Sequence, residues 1–243
     1  MLMFELRIIP RVVLPVLALV ALFVAPAKAT VVFSDDFNSG VSADWGNERG
    51  VWRDTNGVYD ASVPNNNPIT YSSVTSQTSL TNFRVRVDVN DVDDGGVWLR
   101  SSLNAGTISG VLLVTGGNNG QADTLYWHTV VNGVFSGPQQ IANIPGLQGL
   151  DIQLTVDVIG DVYTAFVDGS AIAATSLTTS LFASGSTGLY DFSPISGAAA
   201  PRGQTFDNFS IETLTVSEPA ALGLLAFGLI GLRFARRPRK TNR

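Results

Sequence analysis

The chain has 243 residues with 15 basic and 20 acidic side chains, a formal net charge of −5 and no cysteine. The lack of cysteine excludes disulfides, thiolate metal sites, cysteine nucleophiles and lipobox-type lipidation. Between Thr30 and Glu218 there are 19 acidic residues against six arginines and no lysine, a net charge of −13. Such a surface repels nucleic acid and anionic lipid headgroups, so we expect no nucleic-acid partner.

Residues 1–29 have the three parts of a secretory signal peptide. Two arginines precede an apolar stretch at 12–25, and Ala27-Lys28-Ala29 has the small residues that signal peptidase accepts. An uncleaved anchor helix is the alternative, but Pro26 and the Ala-x-Ala site favour cleavage. We therefore expect signal peptidase as a partner and a mature chain that begins at Thr30.

Residues 30–215 have the periodicity of strands rather than helices. Phe83–Val89 alternates apolar and charged side chains, and Ile152–Val158 repeats the pattern. Turns at Gly160-Asp161 and Asp168-Gly169 then predict a three-stranded meander over 152–175. Further strands are predicted at Val31–Phe37, Val51–Ala61, Ile69–Val74, Val97–Ser101, Ile108–Thr115, Thr124–Val131, Gly188–Phe192 and Thr205–Thr213. Many short strands between Gly- and Asn-rich turns indicate one all-β ectodomain, an antiparallel sandwich.

Residues 216–243 read as a separate C-terminal segment. Val216-Ser217-Glu218-Pro219 precedes an apolar stretch at 220–235, and five basic residues follow. A helix over 220–235 would rise about 24 Å, a little short of a ~30 Å hydrocarbon core, and Arg233 can snorkel to the interface. A buried core helix is the alternative, but such helices rarely end in a cation cluster. We expect a transmembrane helix with the basic tail in the cytoplasm.

These three C-terminal parts, in this order, resemble the PEP-CTERM sorting signal. Its usual motif is Val-Pro-Glu-Pro; Ser217 replaces the first proline, whereas Glu218 and Pro219 are kept. The resemblance implies processing by an exosortase, a membrane-embedded enzyme of biofilm-forming Gram-negative bacteria. It also implies a precursor anchored in the inner membrane, then a protein of the cell surface or extracellular matrix.

The ectodomain resembles the concanavalin A-like lectin/glucanase jelly roll. The resemblance implies a jelly-roll sandwich in which the first and last strands pair. The segments that carry it are Phe33–Phe37, Gly50–Trp52, Gly95–Arg100, Gly160–Tyr163, Val167–Gly169 and Phe206–Phe209.

Catalytic residues are not evident. Enzymes with this fold commonly use paired glutamates in an E-x-D-x-E strand, and none of Glu48, Glu212 and Glu218 belongs to such a motif. The nearest carboxylate cluster, Asp91–Asp94, is interpreted as a solvated hairpin tip, with aspartate-based catalysis as the alternative. His128, the only histidine, lacks a nucleophile elbow and is interpreted as a solvent-facing strand residue.

A cation site is one hypothesis for the paired strand ends. Asp35, Asp36 and Asp207 would meet there, and carboxylate oxygens suit Ca²⁺ in an extracellular medium. The alternative is that these aspartates cap turns.

Sugar stacking is a second site hypothesis. Trp127 with Tyr126 is the best exposed candidate for stacking on a sugar ring, whereas Trp52 and Trp98 alternate with core valines. The alternative for Trp127 and Tyr126 is that they also fill the core.

Together these features predict an exported, exosortase-sorted surface or extracellular-matrix protein. Its ectodomain is expected to be a non-catalytic polysaccharide-binding or structural module linked to biofilm or exopolysaccharide. The alternative is a carbohydrate-active enzyme of the glycoside hydrolase type on the same fold.

Overall fold

The computed structural model describes residues 29–61, 70–116, 123–192 and 203–215, which all belong to one unit, Lys28–Thr215. The described residues form strands and no helix, and none of their elements is a helix able to cross a membrane. Residues 1–28 of the expected signal peptide, the Val216–Pro219 motif and the expected helix at 220–235 lie outside them. The strands are β1 (Ala29–Asp35), β2 (Trp52–Thr55), β3 (Val58–Ala61), β4 (Ser72–Ser73), β5 (Phe83–Asn90), β6 (Gly95–Asn104), β7 (Thr107–Thr115), β8 (Thr124–Val131), β9 (Val134–Phe135), β10 (Gln139–Asn143), β11 (Ile152–Ile159), β12 (Val162–Val167), β13 (Ser170–Thr178), β14 (Ser186–Asp191) and β15 (Thr205–Leu214).

Two antiparallel sheets form a sandwich, which confirms the predicted fold class. One sheet has the order β13-β12-β11-β5-β15-β3-β2, with β1 also paired to β15; the other has the order β10-β8-β7-β6-β14-β4, with β9 paired to β8. We call them the eight-stranded and the seven-stranded sheet. Asp35 lies opposite Phe209, so the first and last strands pair as expected.

The main core lies between the sheets and follows the period of two. Phe83, Val85, Val87 and Val89 of β5 are all buried. The arginines between them point outward, where Arg84 forms an ion pair with Asp157 of β11. Because successive side chains of a strand point to opposite faces, this alternation could be predicted from the sequence.

Residues 51–61, predicted as one strand, form a hairpin instead. Asn56 and Gly57 have φ of 56° and 80°, the left-handed values that a type I′ turn requires. The turn places Arg53 directly opposite Asp60. Asn-Gly is the strongest short-range sequence signal for a hairpin, so the turn at Asn56-Gly57 could have been predicted from the sequence.

The Asp91–Asp94 segment is not a solvated hairpin tip. It connects β5 of one sheet to β6 of the other, and Val92 is buried in the main core. Asp94 itself is only 9% exposed. The interpretation as a hairpin tip was wrong because the amino-acid composition of a turn does not indicate whether the strand after it joins the same sheet or the other one.

A buried arginine ties together three segments at one end of the sandwich. Arg100 is 3% exposed and lies over the Tyr163 ring, 5.4 Å from its centroid. Its guanidinium donates hydrogen bonds to the carbonyl oxygens of Thr81 (2.5 Å), Gly160 (2.6 Å) and Phe182 (2.8 Å). Backbone carbonyls thus take the place of a carboxylate partner for this charge.

Candidate functional site

The face of the seven-stranded sheet that points away from the eight-stranded sheet carries a second hydrophobic cluster. We call it the aromatic face. Its buried members alternate along each strand with residues of the main core, as Trp98 does with Val97 and Leu99. They are Tyr71, Trp98, Ile108, Leu112, Val114, Tyr126, Val130 and Tyr190.

Register places the aromatic residues in rows across the strands. Tyr190, Gly96, Val114 and Tyr126 lie side by side on β14, β6, β7 and β8. A Cβ on Gly96 would lie 1.9 Å from the carbonyl oxygen of Leu113, so only glycine fits. The row therefore has a gap between two tyrosines.

Asp94 is a buried carboxyl beside this row. Its backbone oxygen accepts a hydrogen bond from Phe192 N (2.7 Å), but its carboxylate has no hydrogen-bond partner among the described residues. Burial, with a smaller contribution from the charge of Asp93, raises the pKa of Asp94 to about 7. Burial raises the pKa of the Tyr126 phenol, and the charge of the nearby Asp94 raises it further.

His128 is half-buried on the same face, which corrects its interpretation as solvent-facing. Its Nδ1 lies 2.8 Å from the carbonyl oxygen of Ser136, and the rings of Tyr126 and Phe135 pack edge-on at 5.3 and 5.1 Å. Burial lowers the pKa of the imidazole, which therefore stays neutral at pH 7.

The candidate sugar-stacking pair, Trp127 and Tyr126, is buried, which is the core-filling alternative. Trp127 points into the main core, has no solvent exposure and donates its Nε1 hydrogen bond to Thr175 O (2.9 Å). Tyr126 points to the aromatic face and is 5% exposed. Neither side chain offers an open ring face, because β8 is buried on both sides. Trp52 and Trp98 are also buried, as expected.

The three candidate cation ligands, Asp35, Asp36 and Asp207, make the contacts of turn-capping aspartates. Both carboxylate oxygens of Asp35 are occupied within its own loop, where Phe37 N (3.0 Å), Ser42 N (2.9 Å) and Trp45 Nε1 (2.9 Å) donate to them. Asp36 and Asp207 accept hydrogen bonds from backbone N–H groups of nearby residues, as turn-capping aspartates do. Within the described ranges, no three side chains of the metal-ligating kind lie together.

Carboxylates border the aromatic face but do not occupy the outward positions of its described strands. The outward positions of β6, β7, β8 and β14 hold no aspartate or glutamate among the described residues. Glu48 lies at the β4 edge, where Ser73 N (3.0 Å) and Ser73 Oγ (2.5 Å) occupy its two oxygens. Asp94 is therefore the bordering carboxyl that no hydrogen bond holds.

Comparisons with known proteins agree with both resemblances. Residues 215–240 match the PEP-CTERM protein-sorting motif. No curated protein sequence matches the chain.

Solved structures match the sandwich at low identity. The carbohydrate binding module CBM66 from Bacillus subtilis has a TM-score of 0.50 and 17% identity, covering 71% of this chain and 94% of that one. The κ-carrageenase from Pseudoalteromonas carrageenovora has a TM-score of 0.51 and 13% identity, covering 78% and 97%. The laminarinase catalytic domain from Thermotoga maritima has a TM-score of 0.52 and 11% identity, covering 79% and 100%. At such identity the likeness concerns the fold. The chain thus joins a concanavalin A-like jelly roll to a PEP-CTERM protein-sorting motif, which indicates an exported protein sorted through an exosortase.

Proposed function

We propose that this protein is a non-catalytic surface or matrix protein whose jelly roll binds neutral polysaccharide. The observation that carries the proposal is that the outward positions of the described strands that form the aromatic face hold no carboxylate. Glycoside hydrolysis needs two carboxyl groups about 5–9.5 Å apart on either side of the scissile bond. A face of aromatic and aliphatic side chains does not supply them.

Charge favours a neutral rather than an anionic glycan. The segment from Thr30 to Glu218 has a net charge of −13 and six arginines. Arg53, Arg84 and Arg86 are paired with carboxylates, and Arg100 is buried. Few cations remain to attract sulfated or uronic polymers.

The C-terminal segment supports a surface location. An exosortase would process the chain near Glu218-Pro219, after the helix at 220–235 has held the precursor at the inner membrane. A surface protein of this kind fits the extracellular matrix of a biofilm. Genetic deletion of the exosortase is the test: the precursor should accumulate in the inner-membrane fraction, and unchanged processing would contradict the proposal.

A hydrolase is the second candidate, and Asp94 is the observation that favours it. A buried carboxyl with a pKa of about 7 has the property that a general acid needs near neutral pH. If it acted as one, a second carboxyl group would have to be supplied within reach of the same sugar.

A binding assay and a hydrolysis assay separate the two functions. The full-length chain, in a detergent without a sugar headgroup, is run by affinity electrophoresis in native gels cast with laminarin, dextran or mannan. We expect retardation in at least one gel and no release of reducing sugar from the same polymers. Reducing-sugar release that is abolished by Asp94→Asn would replace binding with hydrolysis; no retardation in any gel would refute the binding function.

A further inference from the structure

A polar pocket lies beside the β2–β3 hairpin, at the edge of the eight-stranded sheet. We call it the hairpin pocket. It measures about 370 Å³ and is lined by the hairpin together with the end of β14 and the start of β15. This volume falls within the roughly 300–1,000 Å³ usual for small-molecule sites. Its lining includes no residue of the aromatic face.

The hairpin supplies one wall through an ion pair. Arg53 Nε lies 3.3 Å from both carboxylate oxygens of Asp60, and Nη2 lies 3.2 Å from Oδ2. The Arg53 side chain is 55% exposed and that of Asp60 is 13% exposed. Since the pair engages Nε and Nη2, the hydrogens of Nη1 have no hydrogen-bond partner among the described residues.

The rest of the lining combines a buried carboxylate with neutral polar groups. Asp191 is buried, and its Oδ2 accepts a hydrogen bond from Ala61 N (3.2 Å), which holds the carboxylate against the hairpin. Thr55, Asn56 and Thr205 add two hydroxyls and an amide to the lining. Val58 and Ala61 add small apolar surfaces.

We infer that the hairpin pocket binds a single neutral sugar residue at the end or at a branch of a polysaccharide; this rests on the proposed polysaccharide-binding function. Sugar hydroxyls both donate and accept hydrogen bonds, and the pocket offers a guanidinium donor beside carboxylate acceptors. Charge-assisted hydrogen bonds would hold the ligand, since the described lining residues include no aromatic ring. A pocket of this size suits one or two rings rather than an extended chain.

Other ligand classes fit less well. The described lining residues include two carboxylates and one arginine, a balance that disfavours an anion. A metal ion is disfavoured because Asp60 already pairs with Arg53 and no group of three ligating side chains occurs in the described residues.

The test uses Arg53→Gln and Asp60→Asn in the full-length chain, with Arg84→Gln as the matched control. Arg84 and Asp157 form the same kind of cross-strand ion pair on the same sheet, away from the pocket. Affinity electrophoresis in laminarin, dextran and mannan gels gives the dissociation constant of each variant. Urea unfolding confirms that each is folded, as expected for loss of a pair that is exposed on the arginine side.

We expect Arg53→Gln and Asp60→Asn each to bind the retarding polymer at least tenfold more weakly, and Arg84→Gln to bind as the parent does. The free monosaccharide of that polymer should also compete for binding. Equal loss in all three variants, or parental affinity of Arg53→Gln, overturns the pocket while leaving the proposed function intact. Competition by long oligosaccharides alone overturns the single-residue ligand. If neither the parent nor any variant is retarded in any gel, the proposed function itself is refuted.

Discussion

Asp94 makes the stability of the sandwich depend on pH in a way that one substitution should remove. The ordinary pKa of an aspartyl side chain is 3.8, and burial raises that of Asp94 to about 7. Between these values the folded protein binds a proton that the unfolded chain has lost. The free energy of unfolding therefore falls as pH rises from about 4 to about 7, and this contribution is constant above that range.

The size of the effect follows from the two pKa values. Each tenfold change in proton affinity corresponds to about 1.4 kcal/mol, so ionised Asp94 destabilises the fold by about 4 kcal/mol above pH 7. Asp94→Asn keeps the shape of the protonated side chain and cannot ionise. We expect this variant to match the parent near pH 4 and to be about 4 kcal/mol more stable at pH 8.

Urea unfolding at pH 4.5, 6 and 8 measures this difference. With a slope of about 2–3 kcal/mol per molar urea, the midpoint of Asp94→Asn should exceed that of the parent by about 1.5–2 M at pH 8. Asp161→Asn, which removes an exposed carboxylate on the β11–β12 turn, controls for the change in net charge. The reasoning is refuted if the difference in the free energy of unfolding between Asp94→Asn and the parent is the same at all three pH values.

Three further outcomes are expected. Arg100→Met leaves three carbonyl oxygens without their donor, so the free energy of unfolding should fall by about 3–5 kcal/mol in urea titrations; a loss below about 1 kcal/mol would contradict the clamp. Gly188→Ala would put a Cβ 2.1 Å from the carbonyl oxygen of Ser72 and should lower the melting temperature, whereas Gly137→Ala meets nothing within 4 Å and should leave it unchanged; equal effects would reject the close approach. Deletion of 220–243 should move the protein from the membrane pellet to the soluble fraction on ultracentrifugation, and continued sedimentation with membranes would show that this segment is not the anchor.

The sandwich was predictable because the main core obeys a local rule. Strands such as β5 and β11 alternate strictly, so their buried faces follow from the order of residues alone. The pairing of β1 with β15 followed from the family resemblance. The sorting motif is likewise a property of consecutive residues, and its recognition needs no fold.

The sites depended on features that the order of residues does not express. Trp127 was the best candidate for an exposed stacking ring, with core filling as the alternative, but β6, β7 and β8 are largely buried on both faces. Their runs of consecutive apolar residues are typical of such strands. The burial of Asp94 depends on a connection between two sheets. The hairpin pocket brings Asp60 and Asp191 together across 131 positions of the chain.

What the sequence by itself determined is therefore the local pattern: strands, turns, the sorting motif and the acidic charge. Only the tertiary structure decided which side chains of a strand face a second layer and which carboxyl groups lose their water. Alternation specifies two faces, but the packing of distant segments determines whether each face meets solvent. Burial raises the pKa of a carboxyl group only after those segments have packed together. The raised pKa of Asp94 therefore follows from the tertiary structure and could not be predicted from the sequence.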